Sequence, residues 1–80
     1  MRIDKYLKNS RIIKRRTVAK EACDQGRVMV NGKPAKAGTD VDVGDEIHIE
    51  FGNSSLTVRV AAVAESVRKD DAAGLYEVVE

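Results

Sequence analysis

The first apolar positions, Ile3, Tyr6 and Leu7, fall at i, i+3 and i+4, which is one stripe of a helix. Arg2, Lys5 and Lys8 lie largely off that stripe. Asn9-Ser10 breaks the pattern, and Ile12 and Ile13 return to the core. Val18, Ala19, Ala22 and Cys23 then recur at i, i+1, i+4 and i+5, a second helical face, and Gly26 just beyond it can take the left-handed conformation that closes a helix. After Gly26 the period changes to two. Arg27-Val28-Met29-Val30 reads as a short strand, and Asn31-Gly32 is the strongest local turn signal in the chain. Lys33-Pro34-Ala35-Lys36 continues as an irregular or edge segment, because proline has no N–H for a central ladder. Val43-Gly44-Asp45 turns into Glu46–Phe51, where Ile47, Ile49 and Phe51 alternate with polar residues, and Gly52-Asn53-Ser54-Ser55 leads to an alternating Leu56–Val60. Those two strands predict a hairpin. Residues 61–71 carry no single period, with Lys69-Asp70-Asp71 as a solvated loop. One helical turn at Asp71–Ala73 and a closing strand at Leu75–Val79 complete the chain. The predicted fold is α+β: two N-terminal helices packed on a small, mostly antiparallel sheet, in a single domain over 1–80.

Charge alters this plain picture. The net charge is only +1, but residues 1–36 hold 11 Lys/Arg against three acids, and residues 37–80 hold three against ten. The halves are therefore +8 and −7, whose sum is the total of +1. An isolated basic cluster is usually a solvated face. An imbalance of this size instead points to a polyanion-binding face at one end of a small body. Lys14, Arg15 and Arg16 stand at the predicted start of the second helix, where the dipole and free N–H groups favour anions, so a negative partner is expected there.

Candidate catalytic chemistry is thin. His48, the one histidine, falls on the polar face of a strand with no nucleophile or orienting partner in view, so a surface or structural role is expected. Cys23 sits on an apolar helix face, as a small core residue would, and a single cysteine cannot form an intramolecular disulfide. Tyr6 shares the stripe of Ile3 and Leu7 and is expected to pack rather than to stack on bases. No metal-ligand spacing, phosphate loop or dinucleotide motif occurs, so neither cofactor nor catalysis is expected. No secretory segment or bilayer-length apolar run occurs either, and the expected compartment is the cytoplasm.

The order of the signals then becomes specific. Arg2-x-Asp4-Lys5-x-Leu7, Lys14-x-Arg16-x-x-Ala19, Gln25-Gly26-Arg27-Val28-x-Val30-Asn31-Gly32-Lys33 and Val43-Gly44-Asp45 together resemble the αL RNA-binding motif, the domain named after the fourth protein of the small ribosomal subunit. The resemblance runs from Arg2 to about Phe51, with 56–80 as a C-terminal strand extension. Asp70-Asp71-Ala72-Ala73-Gly74-Leu75-Tyr76 is similar to the ending of a subgroup of short, stand-alone members in bacterial ribosome-associated quality control. Their longer heat-shock relatives carry a basic C-terminal extension that has no counterpart here, and the related pseudouridine synthases carry a catalytic domain. The resemblance implies a factor on obstructed large ribosomal subunits that contacts rRNA and P-site tRNA and works beside an alanyl-tRNA-recruiting partner, without a membrane and as a monomer. It implies RNA contacts from Arg2, Lys5, Lys8, Arg11, Lys14, Arg15, Arg16 and Lys20, with Arg27, Asn31 and Lys33 at the border. Two alternatives stay open: a general rRNA-binding factor of subunit recycling or assembly, and an adaptor whose basic face meets an acidic protein.

Overall fold

In the computed structural model, which describes residues 1–65 and 67–79 and the backbone alone of Lys69, helix α1 spans Ile3–Asn9 and buries Ile3, Tyr6 and Leu7 completely. Expectations that touch Ser66 and Glu80, in the ambiguous stretch and at the domain's end, lie outside the described residues. No side chain caps α1. A distant loop satisfies its first N–H groups instead: Ile3 N donates to Thr39 O at 2.8 Å and Asp4 N to Ala37 O at 3.3 Å. Val41 N donates to Met1 O at 2.8 Å, and Arg2 bridges Asp40 in antiparallel sense. The loop therefore lies against the start of α1 and buries Ala35, Ala37 and Val41.

Helix α2 spans Arg16–Asp24 and buries Ala19, Ala22 and Cys23. Its end follows from Gly26 at φ +75: Gly26 N donates to Cys23 O and Arg27 N to Ala22 O, both at 3.0 Å, the paired bonds of a Schellman stop. Between the helices Arg11 takes a left-handed φ of +62, and Ile13 N reaches back to Leu7 O at 3.1 Å. That turn delivers Ile13 to the core and leaves Arg11 in solvent.

The sheet runs β2-β1-β3-β4-β5 with every neighbouring pair antiparallel, where β1 is Val28–Val30, β2 Lys33–Pro34, β3 Glu46–Phe51, β4 Ser54–Val60 and β5 Tyr76–Val78. Asn31-Gly32 closes β1 onto β2 with positive φ at both residues (+52 and +81), the twist a two-residue hairpin loop needs. Pro34 stands on the edge strand, as its missing donor requires. Strand β4 begins earlier than the alternation implied. Ser54 and Ser55 pair with Phe51 and Glu50, so the turn shrinks to Gly52-Asn53 because hydrophilic side chains do not stop a ladder from continuing to the loop.

The stretch without a period turns out to be a strap followed by a 3-10 helix, Lys69–Leu75, longer than the single turn expected. Ala62, Ala64 and Val67 pack on the core, and Asn9 Nδ2 donates to Ala64 O at 2.9 Å and Glu65 O at 3.3 Å. Leu75 O accepts the Tyr6 hydroxyl at 2.6 Å and the amides of Ala61 and Ala62, which pins the strap to α1. Leu75 is thereby drawn out of β5, shortening that strand at its start. Tyr6 is wholly buried; burial, with Tyr76 nearby, pushes its phenol far above the ordinary range.

Candidate nucleic-acid interface

The cations of the two helices are organised by one acid. Asp4 lies in the first turn of α1 with its side chain 4% exposed, yet its carboxylate meets two half-exposed guanidiniums. Arg2 Nη2 stands 3.2 Å from Oδ2; Arg16 Nε stands 3.3 Å from Oδ2 and its Nη2 3.5 Å from Oδ1. Oδ1 also accepts the Lys5 amide at 2.8 Å. Each guanidinium directs one edge inward to Asp4. Its remaining N–H donors face outward, since a guanidinium has five in a rigid fork. The Arg2 and Arg16 side chains are 53% and 47% exposed. Asp4 thus answers for Arg16 the need for a negative partner at the start of α2, where neither a capping side chain nor a first-turn acid is present. The loop backs the arrangement: a Cβ built on Gly38 would lie 3.9 Å from Arg2 Nε.

A second group lies along the same helix. Lys8, Asn9, Arg11 and Lys14, with Glu65 and Val67 of the strap, line a cleft of about 130 Å³. Lys5 pairs with Glu65, and the Lys5 ammonium holds the Glu65 carboxyl below the usual carboxylate range, first through their hydrogen bond and then through charge. The left-handed Arg11 backbone is what carries Lys14 back toward Lys8. Arg15 is exposed at the cap of α2, and Lys20, one turn beyond Arg16, is exposed on the same side of that helix.

Three of the expected border residues sit elsewhere. Asn31 belongs to the hairpin: its Nδ2 donates to Asp45 Oδ1 at 3.2 Å and its Oδ1 accepts the Glu46 amide at 2.9 Å, so the carboxamide already has partners on both sides. Lys33 is exposed on the edge strand β2. Arg27 leaves the end of α2 on its far side, against Ile12, Ile13, Val18 and Phe51, and its Nε is buried with no hydrogen-bond partner among the described residues. Asp4 is the residue that sequence reasoning quoted in a motif but left out of the site. Its signal was to be one of only three acids in a strongly basic stretch.

The groups with redox or metal potential are structural. Cys23 is buried, and that burial, then the Asp4 and Asp24 carboxylates, pushes its thiol up, away from the reactive thiolate. His48 Nδ1 lies 2.8 Å from Thr57 Oγ1, its cross-strand partner. Among the described residues no group of His, Cys, Asp and Glu is placed to hold a metal ion, and no helix is long and apolar enough to cross a membrane.

Residues 1–47 match the S4 domain. The chain belongs to the S4 domain family. It is 58% identical over 79 residues to the RQC P-site tRNA stabilizing factor of Streptococcus pneumoniae, covering 99% of this chain and 90% of that protein. The protein of the same name in Halalkalibacterium halodurans is 60% identical over 78 residues, covering 98% and 89%. Among solved structures, the trimeric structure of Vibrio cholerae heat shock protein 15 superposes with a TM-score of 0.92 at 29% identity, covering 99% of this chain and 81% of that one. The S4 match encloses both helices, the loop under α1 and the hairpin of β1 and β2. Of the 13 Asp/Glu, six (Glu50, Glu65, Asp70, Asp71, Glu77 and Glu80) follow its end, whereas all 11 Lys/Arg of the basic half fall within. This S4 domain therefore combines a basic helical layer with a later part of the chain in which acids outnumber cations.

Proposed function

We propose that this chain is a non-catalytic, cytoplasmic RNA-binding factor of ribosome-associated quality control. It binds rRNA and tRNA on obstructed large ribosomal subunits and stabilises P-site peptidyl-tRNA while a partner that recruits alanyl-tRNA extends the stalled chain. It acts as a monomer and as one domain, in which 2–51 carries the RNA and 56–80 braces it. The observation that carries this reading is the buried Asp4 carboxylate holding Arg2 and Arg16 with their outer donors exposed, beside the cluster of Lys5, Lys8, Arg11 and Lys14. Full-length identity to factors named for P-site tRNA stabilisation supports it.

A-form RNA is recognised chiefly through phosphates, 2′-hydroxyls and shape, which asks for well-placed Arg and Lys rather than a base code. Arg2 and Arg16 are suited to fork onto phosphates, with Arg15 and Lys20 extending the track. The test is co-sedimentation with purified large subunits that carry or lack peptidyl-tRNA, at several salt concentrations. Preferential binding to the loaded subunits is expected, and R2A and R16A should each weaken it by about 1–3 kcal/mol. With about five phosphates neutralised, the log–log salt slope should be roughly −3.5 to −4.5. Equal binding to both kinds of subunit would instead favour a general rRNA-binding factor, and binding that survives nuclease digestion would favour a protein adaptor.

A further inference from the structure

On the far side of α2 a groove of about 150 Å³ opens between Val18 and Ala22 of that helix, Ile12 and Ile13 of the preceding turn, and Phe51 at the end of β3, with Arg27 along its floor. Phe51, the chain's one phenylalanine, is 41% exposed, and Val18 is 43% exposed although its spacing marks it as core. In β3, Phe51 continues the face of the buried Ile47 and Ile49 past the point where a helix still covers it. We infer that this groove receives one unpaired nucleobase of the RNA strand whose phosphates lie on the neighbouring basic turn. The inference rests on the RNA-binding reading above and adds to it a site for a base.

Three observations choose this occupant. Ile12 and Ile13 on the groove wall are flanked in the chain by Arg11 and Lys14, which are exposed, so a strand tracked by those cations passes the groove's mouth. Among the described residues Arg27 Nε is buried without an acceptor, and Glu50 turns its carboxylate to His48, 3.7 Å away. A base supplies a flat π-face for Phe51 and ring nitrogens or carbonyl oxygens for the outer N–H groups of the half-buried Arg27. An apolar side chain from a protein would fill the space but offer the Arg27 guanidinium no acceptor. Stacking of unpaired bases on aromatic rings and guanidiniums is how RNA single strands are commonly held.

The chain contains no tryptophan, so Phe51→Trp places the one tryptophan, excited apart from the two tyrosines, at the groove. The variant is titrated with a hairpin RNA bearing an unpaired loop and with a fully paired duplex. Quenching by the hairpin and not by the duplex is expected. Phe51→Leu, which keeps an apolar side chain at this half-exposed position, should weaken hairpin binding by about five- to one-hundred-fold and leave duplex binding within about twofold. Unchanged hairpin affinity in Phe51→Leu, or equal quenching by both RNAs, overturns the proposal. So does a variant that loses the large subunit but keeps the hairpin, which would assign the groove to a protein. Failure of the wild-type chain to bind either RNA would instead remove the reading of the helical face itself.

Discussion

Replacing Asp4 with asparagine sets two accounts of the interface against each other, because they predict opposite signs. The substitution keeps the shape of the side chain and removes one negative charge, taking the net charge from +1 to +2. If the face worked by charge alone, RNA would bind more tightly. A phosphate on the outer side of the guanidiniums would stand about 7 Å from the lost charge, and at water-like screening that relief is about 0.6 kcal/mol, roughly threefold in affinity. The geometry predicts the reverse. Asp4 touches Arg2 once and Arg16 twice, at 3.2–3.5 Å, and nothing else among the described contacts fixes either guanidinium. Without the carboxylate the two cations repel and lose their common orientation, so one or both of their charged hydrogen bonds to phosphate weaken. The loss should be about 1–3 kcal/mol, or roughly five- to 150-fold, well beyond the electrostatic gain. Stability should fall as well, by about 1–3 kcal/mol: the partners are half-exposed, which discounts the larger penalty of a fully buried pair. Affinity is measured by fluorescence polarisation below the melting transition, with circular dichroism to verify the fold. Binding by Asp4→Asn as tight as wild type or tighter would refute the orienting role.

Glu65→Gln should act in the opposite direction, freeing Lys5 for one more phosphate and steepening the log–log salt slope by about 0.7–0.9; an unaltered slope would mean that Lys5 never reaches RNA. Tyr6→Phe should cost about 0.5–1.5 kcal/mol through the lost bond to Leu75 O. Because folding raises the Tyr6 phenol, its contribution is complete below the ordinary tyrosine value of about 10 and drains away as pH rises above it. Urea melts from neutral to alkaline pH should therefore lose stability more steeply in wild type than in Tyr6→Phe, and parallel curves would contradict the burial argument. Gly26→Ala meets no atom within 4 Å, so its cost is backbone conformation alone, about 1–2 kcal/mol in a thermal melt.

What could be read from the sequence was what local spacing encodes. Ile3, Tyr6 and Leu7 announced α1; Val18 to Gly26 announced α2 and its stop; Asn31-Gly32 announced the hairpin; and β3 falls on Glu46–Phe51 as its alternation requires. The loop carrying Ala35, Ala37 and Val41 escaped notice because its burial depends on the start of α1, more than thirty residues away, and small apolar residues in an irregular segment leave no period. The strap over 61–65 was ambiguous for the same reason: Asn9 and Tyr6 hold it, not its own pattern. At the interface the residue types were legible but their grouping was not. Motif order named Arg2 and Arg16 together, but only the fold reveals that Asp4 joins them, that Glu65 already engages Lys5, that Asn31 is held within the hairpin and that Arg27 lines the groove on the far side of α2. Val18 shows the limit of the periodic reading, since a residue on an apolar helical stripe stays half-exposed where it lines the groove beside Phe51.

The central claim is that the two helices present the cations of the basic half to RNA as one surface. An amide-resolved NMR titration of the uniformly labelled chain with a hairpin RNA tests it residue by residue. The largest shifts should fall at Arg2, Lys5, Lys8, Arg11, Lys14–Arg16 and Lys20, with strand β5 unmoved. Largest shifts on β5, with the helices silent, would contradict the account.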